Sequence, residues 1–452
     1  MTSTSLKKQA IRGTIWTIGG YGAAQILRFS SNLVLTRLLA PELFGLMALV
    51  NIFIVGLHLF SDIGVNFNVV QNKRGDEPEY LNTAWTIQVI RGVILWVVCL
   101  LITWPLALLY EEPIMLWVIP ILGTLSTLVE AFKSPTVLLL QRHMKVSLQI
   151  KMELVIQVVG IVSMIAFAWI RPSIWALVFG NAMTTLVGIL WSYLLPGDRP
   201  KFAWNKEAVR EIFSMGRWIF LSTALTFVAE QSDRLILGKL FPLELLGVYG
   251  LALMLSDVPR AVTMTLSSKI IFPAISKFSD LPRSELRSKI LHNRKPLLLA
   301  LTVGMALLIG FGDQVIRLLY DSRYQDAAWM LPILAIGIWP RLICVTIEPV
   351  LFSIGTVQYT TFGNFCRFAF TVAAIFLGFS WLGTVGAVIG VALNDLIYYL
   401  AVCYGLKREG FGCISQDLKA TALLLGLVAL FVAVRSLLGL GLPIDGWPLA
   451  LP

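Results

Sequence analysis

Polar and charged side chains recur at helical spacing inside runs that are otherwise apolar. Tyr21, Gln25, Arg28 and Asn32 follow one another at intervals of three or four, with Thr14 and Thr17 before them. Such intervals place them on a single helix face. Asn51, His58, Asp62 and Asn66 stripe a second run, and Thr223, Thr226, Glu230, Asp233 and Arg234 a third. Asp257, Arg260 and Ser267 mark a fourth. A charge at the centre of a bilayer costs about 2.5–3.5 kcal/mol on insertion scales, so these faces should meet protein or water. Arg28 presents a planar fork of donors that suits an anionic ligand, phosphate or carboxylate. Asp62, Glu230 and Asp257 suit gating or uptake of H+ or Na+, because desolvation raises a carboxyl pKa and a neighbouring Arg lowers it.

Other chemistries find no support in the sequence. His58, His143 and His292 are far apart and lack metal-ligand spacing, and no GxxxxGK[ST] loop is present to cradle ATP. Cys99, Cys344, Cys366, Cys403 and Cys413 are scattered, without redox or metal spacing. No catalytic residue, metal or cofactor is expected, and the chain reads as a non-enzyme. His58 reads as a hydrogen-bonded structural histidine. Arg91, Glu130, Lys133, Lys151, Glu153, Arg341, Glu348, Arg367 and Asp395 are further polar candidates. Most of them fall nearer predicted helix ends, where long side chains reach the interface.

The elements that must position these residues are membrane helices. Of 452 residues, 57% are hydrophobic and 14% charged, with a mean hydropathy of +0.80. A soluble chain carries about 25% charged residues, so a water-soluble assembly is excluded. Apolar runs predict helices near 13–38, 43–70, 82–109, 114–140, 147–170, 174–195, 213–239, 245–272, 296–320, 327–353, 358–380, 384–405 and 418–440. The first follows Lys7, Lys8 and Arg12 and is too long for a signal-peptide core, so it is expected to be retained. Alternate connections carry Lys73 and Arg74, then Arg142 and Lys145, then Arg199, Lys201, Lys206 and Arg210, then Lys407 and Arg408. The intervening ones hold Glu111 and Glu112, a lone Arg171, a lone Lys239, and no charge over 380–383. The basic set and the N-terminus are therefore predicted to be cytoplasmic. In a membrane protein the placement of the net +10 charge counts for more than its sum, and nucleic acid is not an expected partner. The basic connection at about 277–295 is predicted to form a short amphipathic helix on the cytoplasmic membrane surface, drawn to anionic lipid.

The chain also repeats itself. Trp16 pairs with Trp218, and at the same offset of 202 positions Ser30 meets Ser232, Leu33 meets Leu235, Glu42 meets Glu244 and Gly45 meets Gly247. LTRLLAPELFG in the first half mirrors LGKLFPLELLG in the second. Six spans per copy return the chain to the same side. The expected fold is thus an all-α polytopic membrane protein of two six-helix bundles, related by a pseudo-twofold axis along the membrane normal, plus one C-terminal helix. The domains are residues 1–200, 201–410 and 411–452. The four striped helices are expected to line a central cavity, and Arg28, the counterpart of Glu230, is expected to meet it when that cavity closes.

The segment GTIWTIGGYGAAQILRFSSNLVLTRLLAPELFGLMAL, together with QSDRLILGKLFPLELLGVYGLALML and LLLQRHMKVSLQ, resembles the polysaccharide transport (Wzx-type oligosaccharide flippase) family. That family belongs to the multidrug/oligosaccharidyl-lipid/polysaccharide exporter superfamily. The resemblance covers about residues 10–405. It implies a flippase that carries a lipid-linked oligosaccharide, typically on undecaprenyl diphosphate, across the bacterial cytoplasmic (inner) membrane by alternating access. It also implies coupling to H+ or Na+, and a polymerase and glycosyltransferases acting in the same surface polysaccharide pathway. Under that reading Arg28, Arg234 and Arg260 bind the diphosphate, Tyr21, Gln25 and Asn32 bind sugar, and the tail stays among membrane lipids. The alternative within transport is an ion-coupled drug or small-metabolite antiporter. The alternative outside it is a non-transporting scaffold for polysaccharide assembly.

Overall fold

The computed structural model describes residues 3–447 apart from 63, 73, 144, 273–274 and 276–281. The side chains of Thr14 and Thr17, the side chain of Trp218, and Lys277 and Leu281 of the basic connection lie outside what is described. Every regular element among the described residues is a helix. In hydrocarbon the backbone must satisfy its own hydrogen bonds, and a helix does this within one segment. Among the described residues nine helices are long and apolar enough to cross a membrane, so the chain is an all-α, multi-pass membrane protein. It divides into two compact units, residues 1–227 and 228–452, and the division falls inside one long helix, Lys206–Leu240.

The first unit begins with α1 (Ser3–Leu38) and α2 (Pro41–Leu59). Pro41 opens α2, where its missing N–H is harmless. The short α3 (Val65–Gln71) and the long α4 (Pro78–Tyr110) follow. Next come α5 (Met115–Gly123), α6 (Thr136–Arg142), α7 (Val146–Ile170), α8 (Ile174–Leu194) and α9 (Lys206–Leu240). Here α1 lies along α7, α7 pairs with α8, and α4 pairs with α5.

Two predicted spans of this unit are broken. The run 43–70 ends as α2 at Leu59, and Gly64 then takes a left-handed φ of +67° before α3. The Asp62 carboxylate accepts the Gly64 N–H at 2.8 Å and fixes that turn. The run 114–140 widens into a π-helix over Thr124–Val129 and restarts only at Thr136. The cause is local: Ser134 Oγ accepts the Thr136 N–H at 3.3 Å, and Pro135 between them cannot donate.

At the end of α3, Arg142 donates to the carbonyls of Val69, Val70 and Asn72 at 3.0, 3.0 and 2.6 Å. It also pairs with Asp76 at 2.7 Å, and His143 Nε2 lies 2.8 Å from the other Asp76 oxygen. The Arg142 hydrogen bond holds the Asp76 carboxyl below its ordinary 3.8. A depressed carboxyl stabilises the fold above its unfolded value, and that contribution is lost as pH falls through the folded value. Asp76→Asn should therefore lower the thermal midpoint at pH 6–8. A scan from pH 7 downward should show the gap to the parent constant until about pH 4 and closing below it.

The second unit adds α10 (Leu243–Leu266), α11 (Arg283–Leu319), α12 (Ala327–Val345) and the short α13 (Pro349–Ser353). It ends with α14 (Gln358–Ala392), α15 (Asn394–Arg408) and α16 (Ile414–Leu437). The centre is α12, packed by α10, α11, α14 and α15. Burial separates centre from rim: 83% of the apolar window over Ser322–Ser353 is buried, against 17% for α16. Among the described residues of the basic connection, no separate surface helix forms. Residues 283–295 are the first turns of the continuous α11, because Arg294 turns inward to a buried ion pair with Asp417 at 2.6 Å.

The predicted break near 380–384 is present inside α14, where Leu382 and Gly383 leave helical geometry and Gly383 sits at φ +59°. Folding back there brings Gly386 onto the Gly378 carbonyl, and a Cβ on Gly386 would collide with it. Gly386→Val is expected to separate the two arms and cost about 1–3 kcal/mol. A variant that kept the parent's melting temperature in detergent would rule out this close approach.

Candidate functional site

In the second unit, four of the expected site residues converge. Glu230 and Arg234 on α9, and Asp257 and Arg260 on α10, line one cavity of about 110 Å³. Asp257 and Arg260 are three apart on a helix, so they face the same way. The Arg260 Nε bonds Asp257 Oδ1 closely, Nη2 donates to Oδ2 at 3.0 Å, and Nη1 stands 3.7 Å from Glu230. The three side chains keep 21, 30 and 35% of their surface exposed. They are a solvated triad rather than a sealed one. Arg234 donates to Gln231 at 3.4 Å, and buried Asp233 accepts the Tyr249 hydroxyl at 2.7 Å.

The same cavity is lined by Arg367 and Asp395, which pair at 3.1 Å with 12 and 10% of their side chains exposed. The sequence counts both among the further polar candidates, and in the structure they point into protein. Arg367 Nη1 is buried without a hydrogen-bond partner among the described residues. Deeper in this unit, Arg341 lies 3.8 Å from the centre of the Tyr398 ring, whose hydroxyl donates to Glu348 at 2.5 Å. Its Nε and Nη1 also lack a hydrogen-bond partner among the described residues. Buried polar groups left open in this way mark a place where water or a ligand group completes the bonding.

In the first unit, Asp62 lines a larger cavity of about 400 Å³ with His58, Arg91, Glu130 and Lys133. Tyr21, Gln25, Arg28 and Asn32 line neither cavity; they run along α1. Gln25 donates to the Tyr21 hydroxyl at 3.3 Å, Asn32 offers its carbonyl to Thr36 at 2.9 Å, and Arg28 is exposed. The flank of α1 on α7 carries Gly20 and Ala24, one residue round the helix and so about 100° from Tyr21 and Gln25. Gln231 and Asn394 are lining residues that sequence reasoning did not single out. Neutral amides inside polar turns carry no charge signal to mark them. No cluster of His, Cys, Asp and Glu suited to a metal ion occurs among the described residues.

Residues 34–329 match the model of a family described as "Polysaccharide biosynthesis protein". A membrane protein of the cps region of Klebsiella pneumoniae is 20% identical over 407 residues, covering 87% of this chain and 82% of its own. The succinoglycan biosynthesis transport protein ExoT of Rhizobium meliloti is 22% identical over 439 residues, covering 97 and 86%. Among solved structures, the inward-facing form of a multidrug resistance MATE family transporter of the MOP superfamily superposes with a TM-score of 0.63. It covers 87% of this chain and 94% of its own at 13% identity, which is a likeness of fold.

Proposed function

We propose, since the chain belongs to the polysaccharide biosynthesis protein family, that it flips a lipid-linked oligosaccharide across the bacterial cytoplasmic membrane by alternating access. At the coarser level it is a multi-pass membrane transporter concerned with polysaccharide. The observation that carries the finer reading is the triad of Arg260 with Asp257 and Glu230, in a cavity that also presents Arg234 and Arg367. A polyprenyl diphosphate offers oxygens that compete with carboxylates for a guanidinium fork. As the headgroup takes Arg260, Asp257 and Glu230 lose their counter-charge. Two carboxylates left together without a counter-charge favour uptake of a proton or sodium ion. Binding of headgroup and of coupling cation thus support each other, and the polyprenyl tail can remain in lipid throughout.

Arg28 on α1, exposed and beside Tyr21 and Gln25, extends the same reading to the first unit. The division at 1–200, 201–410 and 411–452 and a cytoplasmic N-terminus belong to this proposal as well. The test uses the purified full chain in proteoliposomes with a fluorescent polyprenyl-diphosphate glycan in the inner leaflet. Transfer is read by accessibility to an externally added glycosidase. Protein-dependent transfer is expected. No transfer of any lipid-linked glycan, together with efflux of cationic drugs, would favour the ion-coupled antiporter instead.

A further inference from the structure

We infer that the large cavity of the first unit is a saccharide subsite, seating one glycosyl residue of the transported glycan. The inference rests on the flippase reading for its substrate class, and on this unit alone for its geometry. At about 400 Å³ the cavity falls in the range of small-molecule sites, about 300–1,000 Å³. The cavity of the second unit, at about 110 Å³, is too small to enclose a sugar ring.

The lining matches what a pyranose needs. Each sugar hydroxyl both donates and accepts, so recognition requires carboxylate acceptors and cationic or amide donors around one ring. Asp62 and Glu130 supply the acceptors; Gln88, Arg91 and Lys133 supply the donors, with the Ser126 hydroxyl beside them. A metal ion would call for an excess of anions, whereas this lining sets Arg91 and Lys133 against Asp62 and Glu130. Its charges do not cancel one another locally: among the described residues Asp62, Glu130 and Lys133 make no ion pair.

The cavity is also built rather than left over. Three departures from regular helix meet there: the end of α2 before Gly64, the π-helix Thr124–Val129, and the break at Ser134 and Pro135. π-Helical turns are rare and concentrate at functional sites. This one carries Ser126 and is followed directly by Glu130. Arg91 is fixed by Ser61 Oγ at 3.0 Å and the His58 carbonyl at 2.8 Å through Nε and Nη2, which leaves Nη1 for a ligand. Asp62 spends one oxygen on Gly64 and keeps the other. Fixed donors and acceptors of this kind lose little entropy when a ligand arrives.

The test is saturation-transfer NMR on the full chain in nanodiscs. The probes are the methyl glycosides of glucose, galactose, N-acetylglucosamine and glucuronic acid, with inorganic pyrophosphate as a separate ligand. At least one glycoside should bind saturably. Glu130→Gln and Gln88→Leu should each weaken it tenfold or more without moving the thermal midpoint or pyrophosphate binding. No saturable signal from any glycoside, or equal binding in both variants, overturns the subsite. Leaflet transfer is read in parallel. Transfer that persists without glycoside binding overturns the subsite and leaves the flippase standing; glycoside binding without transfer overturns only the flippase.

Discussion

Arg260→Ala is expected to reduce surface polysaccharide below a tenth of normal while the amount of protein in the membrane stays near the parent level. The two halves of that expectation come from the same geometry. Arg260 is the cation that both Asp257 and Glu230 face, so its loss removes the donor for an anionic headgroup and leaves two carboxylates without their counter-charge. Yet all three side chains remain a fifth to a third exposed, and partly hydrated pairs contribute little to stability. Arg260→Lys restores the charge but not the bidentate fork to Asp257, so it should recover only part of the activity. Arg28→Ala on α1 should act in the same direction. Immunoblotting beside quantitation of surface glycan separates a transport defect from a folding one. Normal polysaccharide in Arg260→Ala would remove this triad from the mechanism.

Arg435→Ala should do the opposite, failing in folding before function can be asked about. Arg435 on α16 and Asp313 on α11 are both 0% exposed and bonded twice, at 2.5 and 2.8 Å. The same guanidinium donates to the carbonyls of Gly310, Leu440 and Gly441 at 2.6, 3.2 and 3.1 Å. Truncation strands a buried carboxylate and the buried Gly310 carbonyl, a loss of about 3–5 kcal/mol. The expected readout is a large fall in melting temperature and in the monodisperse fraction after extraction. The double variant Arg435→Met with Asp313→Leu should recover most of it, because well-packed apolar residues replace such a pair at little cost. If the double variant is no better than the single, the pair does more than neutralise itself. With Arg294 and Asp417 at the other end, this pair ties the weakly buried α16 to its unit.

Some of this was legible from residues and some was not. Asp257 and Arg260 meet because three residues on a helix fix their neighbourhood, so their pairing follows from spacing alone. Glu230 joins them from another helix, and the shared apolar setting was the only hint. Arg367 and Asp395 carried no such hint. They lie on either side of the fold-back at Gly383, and their pairing depends on it. Periodicity puts Asp62 on a continuous stripe with Asn66. Its carboxylate instead closes the turn that ends the helix, a choice between two local hydrogen bonds that periodicity does not register.

The sequence by itself determined the solvent and the secondary structure: 14% charge and long apolar runs leave no option but helices in lipid, since only there can each segment satisfy its own backbone. It also determined which helix faces carry polar groups. Which of those groups meet was decided by tertiary structure. Opposite charges far apart in the chain find one another only after kinks, π-turns and helix packing have set their positions, and low dielectric then makes each such meeting count.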